Sequence, residues 1–330
     1  MRVVHEAPVR RHRWALMRRG PLMGLLAALL LATAAWLWTP DLTQGELEAS
    51  YARGPGDFVQ VDGVRLHLRD SGPRDAPAVI LLHGFGASLH TWEPWAQALS
   101  AHYRVIRYDL PGSGLSSPDP GGDYSDTRSL HLLLSLMDHL GLQRATLVGH
   151  SMGGRIAWRM AAANPQRVAG LVLVAPDGFA SPGFEYGKPP DVPAMLQLMR
   201  VVLPRALLRL NLAPAYAHAD RLSDDTVARY HDLLRAPGAR QAMLQRMEQI
   251  VLHDPVPLLA HIQSPTLLMW GDQDAMIPVA NAKDYLRALP AATGARLVSL
   301  PGVGHLPHEE APAAGLPALL GFLQALPTPR

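Results

Sequence analysis

The chain contains no cysteine in 330 residues. Disulfides and thiolate metal sites are therefore excluded, and an oxidising compartment is permitted but not required. Charge is sparse as well, with 18% Asp, Glu, Lys and Arg against 48% hydrophobic residues, so a sizeable core can form in one large or two modest domains. The net charge of +2 does not describe the body of the chain. Six arginines (Arg2, Arg10, Arg11, Arg13, Arg18, Arg19) and one acid, Glu6, fall in the first twenty residues; removing them from 30 basic and 28 acidic residues leaves 24 and 27, about −3. A basic face on the domain itself is missing, which excludes a nucleic-acid partner. No internal repeat is present, and no low-complexity tract beyond the N-terminal segment.

Present instead is an uncharged run of eighteen residues, Pro21 to Trp38, preceded by the arginines and closed by Trp36 and Trp38. At about 1.5 Å per residue it reaches roughly 27 Å, just enough for a bilayer core. The positive-inside rule keeps residues 1–20 cytoplasmic and exports the rest, periplasmic if the source is bacterial. The expectation is a membrane anchor over 21–38; the alternative is a cleaved signal sequence, for which Ala32-Thr33-Ala34 would serve, with the body secreted. Residues 39–56 then read as a linker or short lead-in helix.

From there strands and helices alternate. Phe58–Val61 and Val64–Leu68 flank Asp62-Gly63 as a hairpin. The continuous apolar run Ala78–Leu82 reads as a strand covered on both faces, and Arg104–Tyr108, Ala145–Val148, Val168–Val174, Thr266–Trp270 and Arg296–Leu300 read as further strands. Helical spacing appears between them: Thr91–His102 with Trp92, Trp95 and Leu99 inward, and Asp126–Leu140 with Leu130, Leu133, Leu134, Met137 and Leu140 as its apolar positions. The pattern predicts an α/β fold, a mostly parallel twisted sheet with helices on both faces, built from 57–176 and 263–330. Strand signals stop over 177–262, which predicts a helical cap inserted after the sixth strand, with Met195, Leu198, Met199, Val202 and Leu207 mostly in its own core.

Gly149-His150-Ser151-Met152-Gly153-Gly154 lies between a strand and a helix. A serine on such a turn is pushed out of the sheet with its oxygen exposed, and the helix behind it aims free N–H groups at it. Serine needs a base within hydrogen-bond reach, and the base needs an acid to hold it. His305 follows the last strand and is the expected base, with His308 a neighbour that packs or caps. Asp274 follows the preceding strand and is the expected acid; Asp272 and Asp177 are the competitors. His305-Leu306-Pro307-His308-Glu309 does not suit a metal, because Pro307 opposes a helix with two ligands on one face. Two backbone N–H groups, of Phe85 and Met152, are placed to form an oxyanion hole.

His83-Gly84-Phe85-Gly86, Asp109-Leu110-Pro111-Gly112-Ser113-Gly114, the serine motif, Trp270-Gly271-Asp272-Gln273-Asp274 and Gly304-His305 together resemble the α/β-hydrolase superfamily, in its capped esterase and C–C hydrolase branch. The resemblance covers residues 58–326. It implies the α/β-hydrolase fold, Ser151, Asp274 and His305 as catalytic triad, and Asp109 with its glycines as a structural turn. Family members with an aspartate nucleophile are set aside by Ser151. The expected activity is hydrolysis of carboxylic esters, lipophilic given the apolar cap and N-terminal segment. Alternatives are cleavage of C–C bonds in ring-fission products or of amides, and a non-catalytic binding protein. Acyl transfer by this triad needs no cofactor.

Overall fold

Ala78–Leu82 is apolar at every position, and all five side chains are buried, because this strand is covered on both faces. Its alternate residues feed two cores: Ile80 and Leu82 face one side of the sheet, Val79 and Leu81 the other. The computed structural model describes residues 19–180 and 185–327, with side chains from residue 23 onward.

Eight strands form one sheet: β1 (Phe58–Val61), β2 (Val64–Ser71), β3 (Ala78–Leu82), β4 (Arg104–Tyr108), β5 (Ala145–His150), β6 (Val168–Val174), β7 (Thr266–Gly271) and β8 (Arg296–Leu300). Their spatial order is β1-β2-β4-β3-β5-β6-β7-β8. Only the β1–β2 and β2–β4 pairings are antiparallel. The other pairs are parallel, so their crossovers carry helices onto the faces. The fold is the expected α/β sheet.

The helices before the insertion are α1 (Arg19–Leu37), α2 (Gln44–Tyr51), α3 (Glu93–Leu99), α4 (Asp126–His139) and α5 (Met152–Ala163). On one face of the sheet, Leu132, Leu133, Leu136 and Met137 of α4 and Ile156, Ala157 and Met160 of α5 complete the core. Buried Leu132 and Leu136 displace Leu130, Leu134 and Leu140 from the expected inner stripe of α4; these three pack only part-buried at its edge. On the other face Trp92, Trp95 and Leu99 are fully buried, as expected, and the Trp95 indole N–H donates to Pro312 O at 2.9 Å.

Between β6 and β7 the chain is helical: α6 (Arg205–Leu212), α7 (Asp224–Leu233), α8 (Ala239–Gln249) and α9 (Val256–Leu259), preceded by a 3₁₀ segment, Ala194–Arg200. After β7 come α10 (Asn281–Ala288), α11 (Pro307–Glu310) and α12 (Pro312–Gln324). The inner faces of the cap helices pack through Leu203, Leu208, Tyr230 and Leu234. Met195, Leu198 and Leu207 are not in that core; they are 76%, 57% and 51% exposed, because each lies on the turn of its helix that faces away from the body.

The lead-in to the body is ordered. A capping box of Thr43 and Glu46 starts α2, and Leu47 is buried against Leu115, Leu233 and Ala239. Thr39 N–H donates to Val201 O at 2.8 Å and Thr39 Oγ1 accepts from Leu203 N–H at 3.0 Å. Arg235 donates to Pro40 O and Arg240 pairs with Asp41, which binds the segment to the cap.

The expected transmembrane anchor is not supported. Among the described residues no helix is long and apolar enough to cross a membrane. Residues 1–18, most of the segment expected to stay cytoplasmic, lie outside the described residues.

Candidate active site

All the sequence-derived site residues sit at or just past the carboxyl ends of strands, on one rim of the sheet. Ser151 closes β5 and opens α5, with φ 50° and ψ −118°. A non-glycine residue at positive φ is strained and persists only where its surroundings hold it. Here the hold is a set of backbone bonds: Ser151 N–H donates to Val174 O, and Ser151 O accepts from Arg155 and Asp177 N–H, all at 3.0 Å. The neighbouring glycines let α5 approach. A Cβ on Gly153 would lie 2.2 Å from Leu82 O, and one on Gly149 2.3 Å from Gly153 O.

His305 follows β8 and is buried. Its Nδ1 lies 2.8 Å from Asp274 Oδ2. Asp274 Oδ1 accepts from the N–H groups of Met276 and Ile277, both at 2.9 Å, so the carboxylate is fixed from two sides. With Nδ1–H donated to Asp274, the other ring nitrogen of His305 is left as acceptor. Ser151 Oγ makes no hydrogen bond among the described residues, but its neighbour His150 brings the two segments together: His150 Nε2 donates to His305 O at 2.8 Å and the two rings are 4.6 Å apart.

The competing acids are engaged elsewhere. Asp272 accepts the Gly302 N–H at 2.8 Å, a turn role. Asp177 faces Arg155, 2.9 Å away; burial pushes its carboxyl up despite that cation. His308 packs rather than ligates, stacked on Trp92 at 3.9 Å between centroids. Burial, helped by nearby His305, pulls its pKa down to about 3. Among the described residues no cluster has the make-up of a metal site.

The N–H groups of Phe85 and Met152 have no acceptor in the chain among the described residues. Met152 is the first residue of α5, where the ladder leaves the N–H free. Phe85 follows Gly84, which has room for neither a side chain nor a shift: a Cβ there would be 2.7 Å from His150 Nδ1 and 3.3 Å from Ser151 Cβ.

Asp109 carries no chemistry but holds the rim. Its buried carboxylate accepts from Leu89 and Leu115 N–H at 2.7 and 2.9 Å and faces His67 Nδ1 at 2.7 Å. Burial alone would raise its pKa; the His67 contact outweighs it and holds the carboxyl at about 2.

Residues 77–312 match the family model described as alpha/beta hydrolase fold. The chain belongs to the α/β-hydrolase family. Within it, the chain is 32% identical over 255 residues, 76% of its length and 95% of the other, to a Pseudomonas savastanoi pv. phaseolicola protein designated carbamate hydrolase RutD. Among solved α/β-hydrolase structures it is similar to a membrane phospholipase A described as a bacterial virulence factor (25% identity, TM-score 0.69, covering 94% of this chain and 98% of that one). It is also similar to the enol-lactonase of Burkholderia xenovorans LB400 (27% identity, TM-score 0.70, covering 81% and 99%).

Three residues that support this hydrolase site escaped the sequence reading. His150 occupies the variable position of the serine motif, where no residue type is demanded. Glu310 accepts from Gly304 N–H at 2.7 Å and from His218 N–H at 3.1 Å, tying the His305 loop to the cap. Glu309 pairs with Arg229 and accepts from Tyr230 OH at 2.9 Å. Acidic residues early in a short helix read as ordinary N-terminal charge, so no pattern marked either glutamate.

Proposed function

We propose that this α/β hydrolase is a serine hydrolase of carboxylic esters. The observation that carries the reading is the strained Ser151 turn on the same rim as the His305–Asp274 pair. Ser151 Oγ attacks the carbonyl carbon while His305 takes its proton, and Asp274 steadies the imidazolium. The oxygen that becomes negative is held by the N–H groups of Phe85 and Met152. Collapse expels the alcohol with the proton from His305, and water then releases the acid by the same steps. The wall beside Phe85 includes Tyr230, Leu233, Leu234 and Met243, which favours a lipophilic ester.

A fluorophosphonate probe is expected to label the intact protein at one serine, Ser151, located by mass spectrometry of the digested adduct. A folded protein that takes no label, or takes it at another residue, defeats the assignment.

We also propose that the catalytic body works outside the cytoplasm. The support is the arginine-flanked apolar run and the exposure of the described part of α1, where Trp36 is 83% exposed among the described residues. A C-terminal fusion to alkaline phosphatase, which folds only after export, is expected to be active. An abundant but inactive fusion refutes the placement.

A further inference from the structure

Five arginines are buried: Arg69, Arg107, Arg155, Arg240 and Arg246. Four of them face a carboxylate. Arg69 and Arg107 share Glu93, each at 2.9 Å; Arg155 lies 3.1 Å from Asp126 and 2.9 Å from Asp177; Arg240 pairs with Asp41. Arg246 does not. Among the described residues no carboxylate lies within ion-pair distance of it, and its one hydrogen-bond acceptor is Pro111 O, at 2.7 Å. The Tyr124 ring lies 4.9 Å from its guanidinium carbon and supplies only a π face. Burial lowers its pKa to about 10, so the group remains a cation at neutral pH.

A buried charge without a counter-ion is costly, and such groups concentrate at functional sites. Arg246 lines a cavity with Phe85, Gly112, Tyr230 and Met243. Phe85, whose N–H has no acceptor among the described residues, is part of its lining, so the cavity lies beside the loop that carries that N–H. The second cation on its wall, Arg229, is already neutralised by Glu309. The cavity thus combines an apolar wall with one uncompensated positive charge.

We propose that this cavity receives an anionic group of the substrate, a carboxylate or a phosphate, and that Arg246 is its counter-ion. The substrate class is then a lipophilic ester that carries one negative charge. This rests on the serine-esterase reading and adds a specificity residue to it. The same guanidinium also ties the Pro111 turn, a structural role that by itself would give no preference between charged and neutral esters.

The test uses the full chain and two pairs of esters, each pair matched in acyl length and leaving-group chemistry: p-nitrophenyl hexanoate against the p-nitrophenyl half-ester of adipic acid, and the hexanoyl ester of glycerol against that of glycerol phosphate. Wild type is expected to favour at least one anionic ester over its neutral partner by about tenfold or more in kcat/KM, the scale of one charge-assisted hydrogen bond. The adipate and glycerol phosphate arms tell a carboxylate on the acyl side from a phosphate on the alcohol side. In Arg246→Met the ratio is expected to fall to near one, and in Arg246→Lys to be partly retained. A ratio of one in wild type for both anionic esters, or a ratio that survives in Arg246→Met, overturns the proposal. Should Arg246→Met not fold, competition on wild type decides: adipate is expected to inhibit hexanoate-ester turnover far more strongly than hexanamide, and equal inhibition overturns the anion site. A Ser151-dependent hexanoate activity with no charge preference defeats the anion site alone. Activity independent of Ser151 defeats the esterase reading, while calorimetric binding of adipate still reports on Arg246.

Discussion

Replacing Ser151 with alanine is expected to slow hydrolysis of a p-nitrophenyl ester by about three to six orders of magnitude, with the melting temperature nearly unchanged. The second half of that expectation follows from the structure. Ser151 heads α5, yet its side chain makes no capping bond, so deleting Oγ removes no interaction that holds the fold. The strained backbone is kept in place by main-chain bonds that alanine retains. Rate and stability are therefore separable at this position. A variant that keeps more than a few per cent of the rate would place the nucleophile elsewhere. A variant that melts far below wild type would show instead that Oγ is structural.

Stability is expected to fall steeply as the pH drops below about 6.5. His308 is fully buried and its pKa is held near 3, first by burial and then by nearby His305 and His83. In the unfolded chain the same group titrates near 6.5. Above that pH neither state binds the proton. Below it the unfolded chain takes up a proton that the native chain refuses, so folding loses about 1.4 kcal/mol per pH unit until about pH 3. Between pH 6.5 and 4.5 His308 alone removes about 2.3 kcal/mol. His150 and His83, both buried with lowered pKa values, act in the same direction. Asp177, whose carboxyl is raised by burial, opposes them in the carboxylate range, and Asp109 adds to the loss only below about 3.8. Urea unfolding midpoints at pH 7.5, 6.5, 5.5 and 4.5 measure the slope. His308→Phe keeps a ring against Trp92 and is expected to remove about one proton from it. A midpoint that does not move between pH 6.5 and 4.5 contradicts the account.

The strands were legible because their signals are redundant. Ala78–Leu82, Arg104–Tyr108 and Arg296–Leu300 are short runs bounded by turn residues, and the structure places strands over those same residues. The inner face of α4 was not legible, since leucine stands at 130, 132, 133, 134 and 136, and such a run leaves the direction of its stripe to the neighbours it packs against. The cap failed for a related reason. Apolar composition says that Met195, Leu198 and Leu207 lie on helices, but not whether anything lies opposite them. Of the site, the residues with demanding chemistry stood out: a serine between glycines, and an acid and a histidine after late strands. What supports them did not. His150 and Glu310 act through a backbone carbonyl and a backbone N–H, contacts that leave no residue-type signature, and Arg246 sits on a polar helix where arginine ordinarily faces water.

The lead-in segment changes what the cap can do. An insertion joined to a sheet only through its two covalent ends is free to swing about them. Beyond the Glu309 and Glu310 ties, this one is also pinned by the lead-in: Thr39 is laced to Val201 and Leu203, Leu42 N–H reaches Arg235 O at 2.9 Å, and Tyr51 OH reaches Asp232 at 2.9 Å. Such contacts oppose wholesale lifting of the cap as a lid. The lead-in also sets where proteolytic trimming is harmless, since a cut at Ala32–Ala34 spares every one of its stitches and a cut at residue 56 severs them all.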